Sequence, residues 1–212
     1  MVTRRALVTG GTGAIGGAIA DRLEWDGVDV TRMGQEVWEL AHEGVALGYD
    51  ILVNCAGYAD YTPVPSRDEW HAMLDVHVWL PARMTGLCLG HMTRRRWGRV
   101  VNIASTAAIT GGIHQEHYAA AKAGLVNLTM STARKAGRAG VTANAVLPGL
   151  IESNMSHEEI MKPETQAAIK TWPIPRVGLP EDVAGLVAFL ASDHAAYITG
   201  QFICVDGGRV IG

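Results

Sequence analysis

The chain has only three cysteines in 212 residues. Cys55, Cys88 and Cys204 are far apart and form no CxxC pair. A disulfide framework and a zinc module are therefore not expected, and a reducing compartment is. No run of 18 apolar residues occurs, so no helix is expected to span a membrane. An excess of one charge is also missing: 18 Lys and Arg stand against 21 Asp and Glu, a formal net charge of -3. No global field draws the chain to nucleic acid or to an anionic membrane. The opening residues, Met1 to Arg5, hold no apolar segment of the kind a signal peptide needs, so the expected location is cytoplasmic. Repeats, linkers and low-complexity tracts are absent as well, and residues 1–212 read as a single domain.

What is present is an alternation of apolar runs and Gly-rich turns, with 25 Gly in all. Ala6–Thr9, Val28–Thr31, Asp50–Asn54, Gly98–Ala104, Val141–Leu147 and Gln201–Val205 read as short strands. Helical patterns lie between them: Ala18–Trp25, Glu36–Val45, a long one opened by the capping box Ser66-Arg67-Asp68-Glu69, Tyr118–Arg138, and Pro180–Ala191. Residues 150–176 are polar and proline-punctuated, and read as a lid with short helices. Strands alternating with helices predict an α/β, three-layer, Rossmann-type doubly wound parallel sheet of six strands.

The first strand runs into Gly10-Gly11-Thr12-Gly13-Ala14-Ile15-Gly16 and then a helix. A Gly-rich turn at a helix N-terminus offers unpaired N–H groups and a positive dipole end, which suits a pyrophosphate. By itself Gly11-x-Gly13-x-x-Gly16 is a weak signal, because Gly-rich turns between a strand and a helix are common. Downstream, Asn54-x-Ala56-Gly57, Ser105, Tyr118-x-x-x-Lys122 and Pro148-Gly149 follow in order. Tyr118 and Lys122 are four apart on a helix and share a face. An ordinary surface pair would explain those two alone, but not a pair set thirteen residues after a strand-end serine.

With Thr9-Gly10-x-x-x-Ala14-x-Gly16 these motifs resemble the short-chain dehydrogenase/reductase family, and within it the 3-oxoacyl-(acyl carrier protein) reductases. The match is dense from about Asp50 to Gly208. The resemblance implies NAD(P)H-dependent reduction of a carbonyl: a 3-oxoacyl thioester, a polyketide or a related ketone. Tyr118 would give or take the proton. Lys122 would lower the Tyr118 pKa and hold the nicotinamide ribose. Ser105 would hydrogen-bond the substrate oxygen. Gly10, Thr12, Gly13, Ala14, Ile15 and Gly16 would hold the phosphates, with Asn54, Ala56, Gly57, Pro148, Gly149, Ile151 and Ser153 completing the cofactor site. Ile151 backbone and the Ser153 hydroxyl would take the carboxamide. No metal is implied. His114 and His117 have no third ligand at sensible spacing, and are expected at the substrate mouth or in solvent.

Two departures stand out. The family's catalytic Asn aligns with His77, in Leu74-Asp75-Val76-His77-Val78, where an imidazole could support the same proton relay. Second, residues 17–50 are too few for the usual three helices and two strands, so one strand and one helix are missing on the adenosine side. Asp29-Val30-Thr31 could match either the family's second strand or its third. If it is the second, its end carries Gly34 where NAD-preferring relatives have Asp. Arg32 is nearby, and the balance tilts to NADP(H) over NAD(H). A poorer hold on adenosine is expected, for want of a wall. A non-catalytic or redox-neutral nucleotide-binding homologue is the rival reading; the intact Ser105, Tyr118 and Lys122 oppose it.

For partners, the family docks its acidic carrier near basic residues that here would be Arg94, Arg95, Arg96 and Arg138; a solvated helix end explains them equally well. Apolar residues on more than one face of the two long helices would leave an exposed patch unless another subunit covers it. In the resembling family these helices pair across a twofold axis and the C-terminal strand, here with Ile211, makes a second contact, so the resemblance implies a homotetramer, or a homodimer if one contact is lost.

Overall fold

A computed structural model describes residues 3–210. Ile211 lies outside them. Six strands form one parallel sheet: β1 (Arg5–Thr9), β2 (Asp29–Met33), β3 (Ile51–Asn54), β4 (Gly98–Ile103), β5 (Val141–Pro148) and β6 (Phe202–Val205), in the spatial order β2-β1-β3-β4-β5-β6. The expected six-stranded, doubly wound sheet is the one observed. β2 pairs directly with β1, so Asp29-Val30-Thr31 takes the second-strand place, and the sheet ends there.

Alternation along the strands divides the core into two faces. Ala6, Val8, Ile51, Val53, Val101 and Val146 face α1 (Ala14–Trp25) and α9 (Pro180–Ala191). Leu7, Leu52, Val100 and Ala143 face α2 (Val37–Glu43), α4 (Leu80–Arg95) and α6 (Glu116–Ala136). With both faces covered, the central strands are apolar at nearly every position.

Several boundaries differ from the sequence reading for local reasons. Helix α1 starts at Ala14 rather than Ala18, because Gly16 and Gly17 lie inside its first turns. Helix α2 ends at Glu43, where Gly44 takes a left-handed φ of 73° that a side chain would resist. The long helix after the Ser66 capping box is three pieces: α3 (Arg67–Leu74), a π-helical stretch Asp75–Trp79, and α4. Such a bulge recurs at functional sites, and His77 sits at its centre. A short helix α5 (Ala107–Thr110) and two lid helices, α7 (His157–Met161) and α8 (Pro163–Ile169), complete the chain.

Of the apolar residues on the two long helices, many pack inward. Met73, Met84, Leu87, Leu125 and Val126 are buried in the core. Leu74 and Trp79 remain exposed. No described helix is long and apolar enough to cross a membrane.

Candidate active site

One large cleft, about 2220 Å³, runs across the carboxyl ends of the strands. This is where open α/β sheets bind ligands. The end of β1 and the start of α1 line its middle, through Gly10, Thr12, Gly13, Ala14, Ile15 and Gly16. The turn is closed by tight contacts. A Cβ on Gly10 would stand 2.8 Å from the Ala56 backbone, and one on Gly16 would run into the Gly10 carbonyl. No side chain caps α1 at Gly13, so its first-turn N–H groups are left for a ligand. A turn that admits only glycine at positions 10 and 16, opening onto free amides, fits a dinucleotide pyrophosphate.

Thr9 holds the neighbouring turn. Its hydroxyl accepts from the backbone N–H of Cys55 and of Ala56, each at 3.1 Å, and so draws the end of β3 against β1. Ala56 and Gly57 line the cleft. Asn54 does not: it is buried, and its Nδ2 donates to Asn102 Oδ1 at 2.8 Å. Asn102 in turn donates to Thr129 Oγ1 at 2.8 Å, which ties β3, β4 and α6 together. Asn54 thus positions the sheet, and its side chain is outside the cleft.

On the other side of the cleft, Ser105 follows β4, and Tyr118 and Lys122 project from α6. The expected trio is therefore assembled in one place. Lys122 is buried; its Nζ donates to the Ile103 carbonyl at 2.8 Å and lies 5.6 Å from the Tyr118 ring centroid. Burial pushes the Tyr118 phenol up to about 12, an effect opposed by the Ser105 hydroxyl. Burial also pulls the Lys122 ammonium down to about 8. Cys55, between them and the Gly turn, is pushed up to about 11 by burial and stays a thiol.

His77 faces the trio edge-on, its ring 5.3 Å from that of Tyr118. A carbonyl can only accept, so the 2.8 Å contact to Tyr58 O fixes the proton on Nε2. Nδ1 then carries a lone pair that is buried without a partner. Burial, then the Lys122 charge, lower the imidazole to about 2, so it is neutral throughout the physiological range.

Pro148, Gly149, Ile151 and Ser153 line the cleft beyond β5. The Ser153 hydroxyl lies 3.0 Å from that of Ser156, which donates to the Ile151 carbonyl. The loop carrying the expected carboxamide contacts is thus tied to itself. Tyr58, Tyr61, Ile113, Met155 and Trp172 give the cleft an apolar rim.

Besides Asn54, three expected placements change. Arg32 is turned away from the cleft. Its partner in the sheet is Val8, which faces α1, and its Nη2 contacts Asp21 at 2.7 Å and Glu24 at 2.8 Å. His117 is fully buried, edge-on to Trp70, while His114 does border the cleft. Arg94, Arg95, Arg96 and Arg138 sit where β4 and β5 begin, at the opposite end of the sheet from the cleft. Arg95 pairs with Asp50 at 3.1 Å, and Arg96 donates to the Arg138 carbonyl. Glu36 and Trp38, which the sequence reading did not single out, border the end of β2. Only their three-dimensional placement marks them.

Residues 28–209 match the family model described as enoyl-(acyl carrier protein) reductase. The chain is 36% identical to nodulation protein G of Rhizobium meliloti (strain 1021), covering 98% of this chain and 97% of that one. That alignment runs over 239 positions, more than the 212 residues of this chain, so it contains gaps on this side. It is 37% identical to the 3-oxoacyl-(acyl-carrier-protein) reductase of Pseudomonas aeruginosa, covering 96% and 87%. Among solved structures, a short-chain dehydrogenase/reductase from Burkholderia thailandensis superposes with a TM-score of 0.91 at 28% identity, covering 100% and 94%. A protein of Beutenbergia cavernae, described as an NAD(P)-dependent gluconate 5-dehydrogenase with NADP at low occupancy, gives 0.88 at 28%, covering 98% and 97%.

Proposed function

The chain belongs to the short-chain dehydrogenase/reductase family, and on that premise we propose that it reduces the ketone of a 3-oxoacyl thioester or a closely related substrate. The observation that carries this is the convergence of Ser105, Tyr118 and Lys122 on the same cleft as the Gly10–Gly16 cradle. A bound reduced nicotinamide would supply the hydride. Ser105 and Tyr118 would hold the carbonyl oxygen. The Tyr118 phenol would pass its proton to that oxygen as negative charge builds on it, and the Lys122 ammonium would stabilise the phenolate left behind. Ile151 backbone and Ser153 would orient the ring edge. The apolar rim of Tyr58, Tyr61, Ile113, Met155 and Trp172 suits an acyl chain better than a sugar acid.

Mixing the protein with NADH or NADPH and a panel of 3-oxoacyl thioesters, simple ketones and sugar acids tests this. Nicotinamide absorbance is expected to fall with the thioesters first. No consumption with any carbonyl would overturn the enzymatic reading; a sugar acid preferred would overturn the substrate class. An acidic acyl carrier remains the proposed bearer of the thioester. Docking on Arg94, Arg95, Arg96 and Arg138 would bring it to the far end of the sheet.

We also propose a homotetramer, with a dimer as the smaller alternative. A shallow groove between α4 and α6, lined by Ala82, Thr85, Gly86, Leu89, Leu128 and Ser131, offers small and apolar residues for helices of a second copy. Light scattering at micromolar concentration is expected to give four times the 22.6 kDa chain mass. A monomer mass would remove the idea.

A further inference from the structure

The shortened first half suggests that adenosine has lost a wall, but the structure supplies another. The cleft passes from Ser105 and Tyr118, over the ends of β3 and β1, to Gly34, Gln35, Val37 and Trp38 beyond β2. A dinucleotide with its pyrophosphate on the α1 turn and its nicotinamide beside Tyr118 must place its other nucleoside at that end.

One side chain lining that end and one lying against Gly34 beside it are placed to act as a receptor. Trp38 borders the cleft, and its ring is braced from behind. It stacks on Trp79 with centroids 6.0 Å apart and planes 7° from parallel, and His42 leans on both rings at 6.5 and 5.4 Å. Trp38 is thus an aromatic face held in place by two neighbouring rings. The second is Glu36. Its Oε1 accepts from the Gly34 N–H at 2.9 Å. Its Oε2 lies 3.1 Å from where a Gly34 Cβ would be, with the Thr12 hydroxyl 3.7 Å from the same point. The carboxylate therefore fills the space that an acidic side chain at position 34 would have taken. The Gly34 amide stabilises its charged form. The nearby cation that a 2′-phosphate would need, Arg32, is engaged by Asp21 and Glu24 on the α1 face.

We propose that residues 34–38 form a rebuilt adenosine site, in which Trp38 stacks on the adenine and Glu36 accepts from the ribose hydroxyls, so that NAD(H) is held more tightly than NADP(H). This rests on the dinucleotide reading above but does not depend on the substrate. A carboxylate facing a 2′-phosphate is a like-charge contact, and it disfavours the phosphorylated form. A base on an aromatic face gains from stacking whatever the ring substituents.

Binding, rather than turnover, tests it. Calorimetric titrations would use NADH, NADPH and AMP against wild type, Trp38→Ala, Trp38→Phe and Glu36→Gln, each checked for an unchanged thermal midpoint. Wild type is expected to bind NADH at least roughly ten times more tightly than NADPH. Trp38→Ala should weaken AMP by roughly tenfold, and Trp38→Phe, which keeps a ring, by less. Glu36→Gln should narrow the NADH to NADPH ratio without abolishing either. AMP should quench part of the tryptophan emission in wild type and less in Trp38→Phe. NADPH bound as tightly as NADH, or AMP affinity unchanged in Trp38→Ala, would overturn the proposal while leaving dinucleotide binding intact. Failure of all three ligands to bind would overturn the dinucleotide reading together with it.

Discussion

Replacing Tyr118 with Phe is expected to lower turnover by roughly 10²–10⁴-fold, the range of a positioned proton transfer. The ring is kept, so its edge contact with His77 and its place on α6 survive. The melting temperature and dinucleotide affinity should hardly change. Only the hydroxyl is lost, and with it the proton that the nascent alkoxide needs. The protonation states give a second readout. With its pKa raised to about 12, the phenol keeps its proton at neutral pH, as a donor must. Lys122, drawn down to about 8, carries the charge that stabilises the phenolate only below that pH. The rate of ketone reduction is therefore expected to fall as pH rises through about 8. A Tyr118→Phe protein that still turns over at the wild-type rate would remove Tyr118 from the proton-donor role.

The sheet was legible because it is written locally, and the trio because its order and spacing resemble a known family. Apolar runs such as Ile51–Asn54 and Val141–Leu147 have few alternatives to buried parallel strands between helices. A four-residue spacing such as Tyr118 to Lys122 puts both side chains on one helix face. The missing strand was legible as a deficit of chain length between Gly17 and Asp50. Side-chain direction at the sheet edge was harder to read. Arg32 and Gly34 are two apart, yet Arg32 is claimed by carboxylates on α1 and Gly34 opens to the cleft. The space left by the glycine is filled from Glu36, two residues on. Nor does any local pattern announce that Trp38 and Trp79, 41 residues apart, stack on one another. His117 reads as a polar residue near a mouth, but tertiary packing against Trp70 buries it completely. The π-helical stretch is equally hidden, since Asp75–Trp79 has the composition of an ordinary helical turn.

That stretch leads to the second large effect. His77→Leu is expected to reduce kcat by roughly 10–100-fold, whereas His77→Asn should keep most of the activity. The structure narrows what the imidazole can do. Burial and the Lys122 charge hold it neutral, which makes it a poor general acid or base. Its Nε2–H is committed to the Tyr58 carbonyl, which anchors the ring. What remains is Nδ1, an acceptor buried among Gly57, Tyr118 and Lys122 with no partner of its own. A relay role requires the packing around Nδ1 to open far enough to admit a water molecule, which would then link Lys122 to solvent and resupply the Tyr118 proton. Hydrogen bonds in a chain that ends on a charged group contribute about 1.5–3 kcal/mol each, which sets the expected loss for leucine. Asparagine offers an acceptor again and restores the residue that the resemblance implies. The measurements are kcat and its pH profile for the two variants, with dinucleotide affinity and melting temperature as controls. If His77 acts through a relay, leucine should depress kcat more than affinity, and the asparagine profile should overlie that of the wild type. Equal activity in the two variants would mean that His77 only packs.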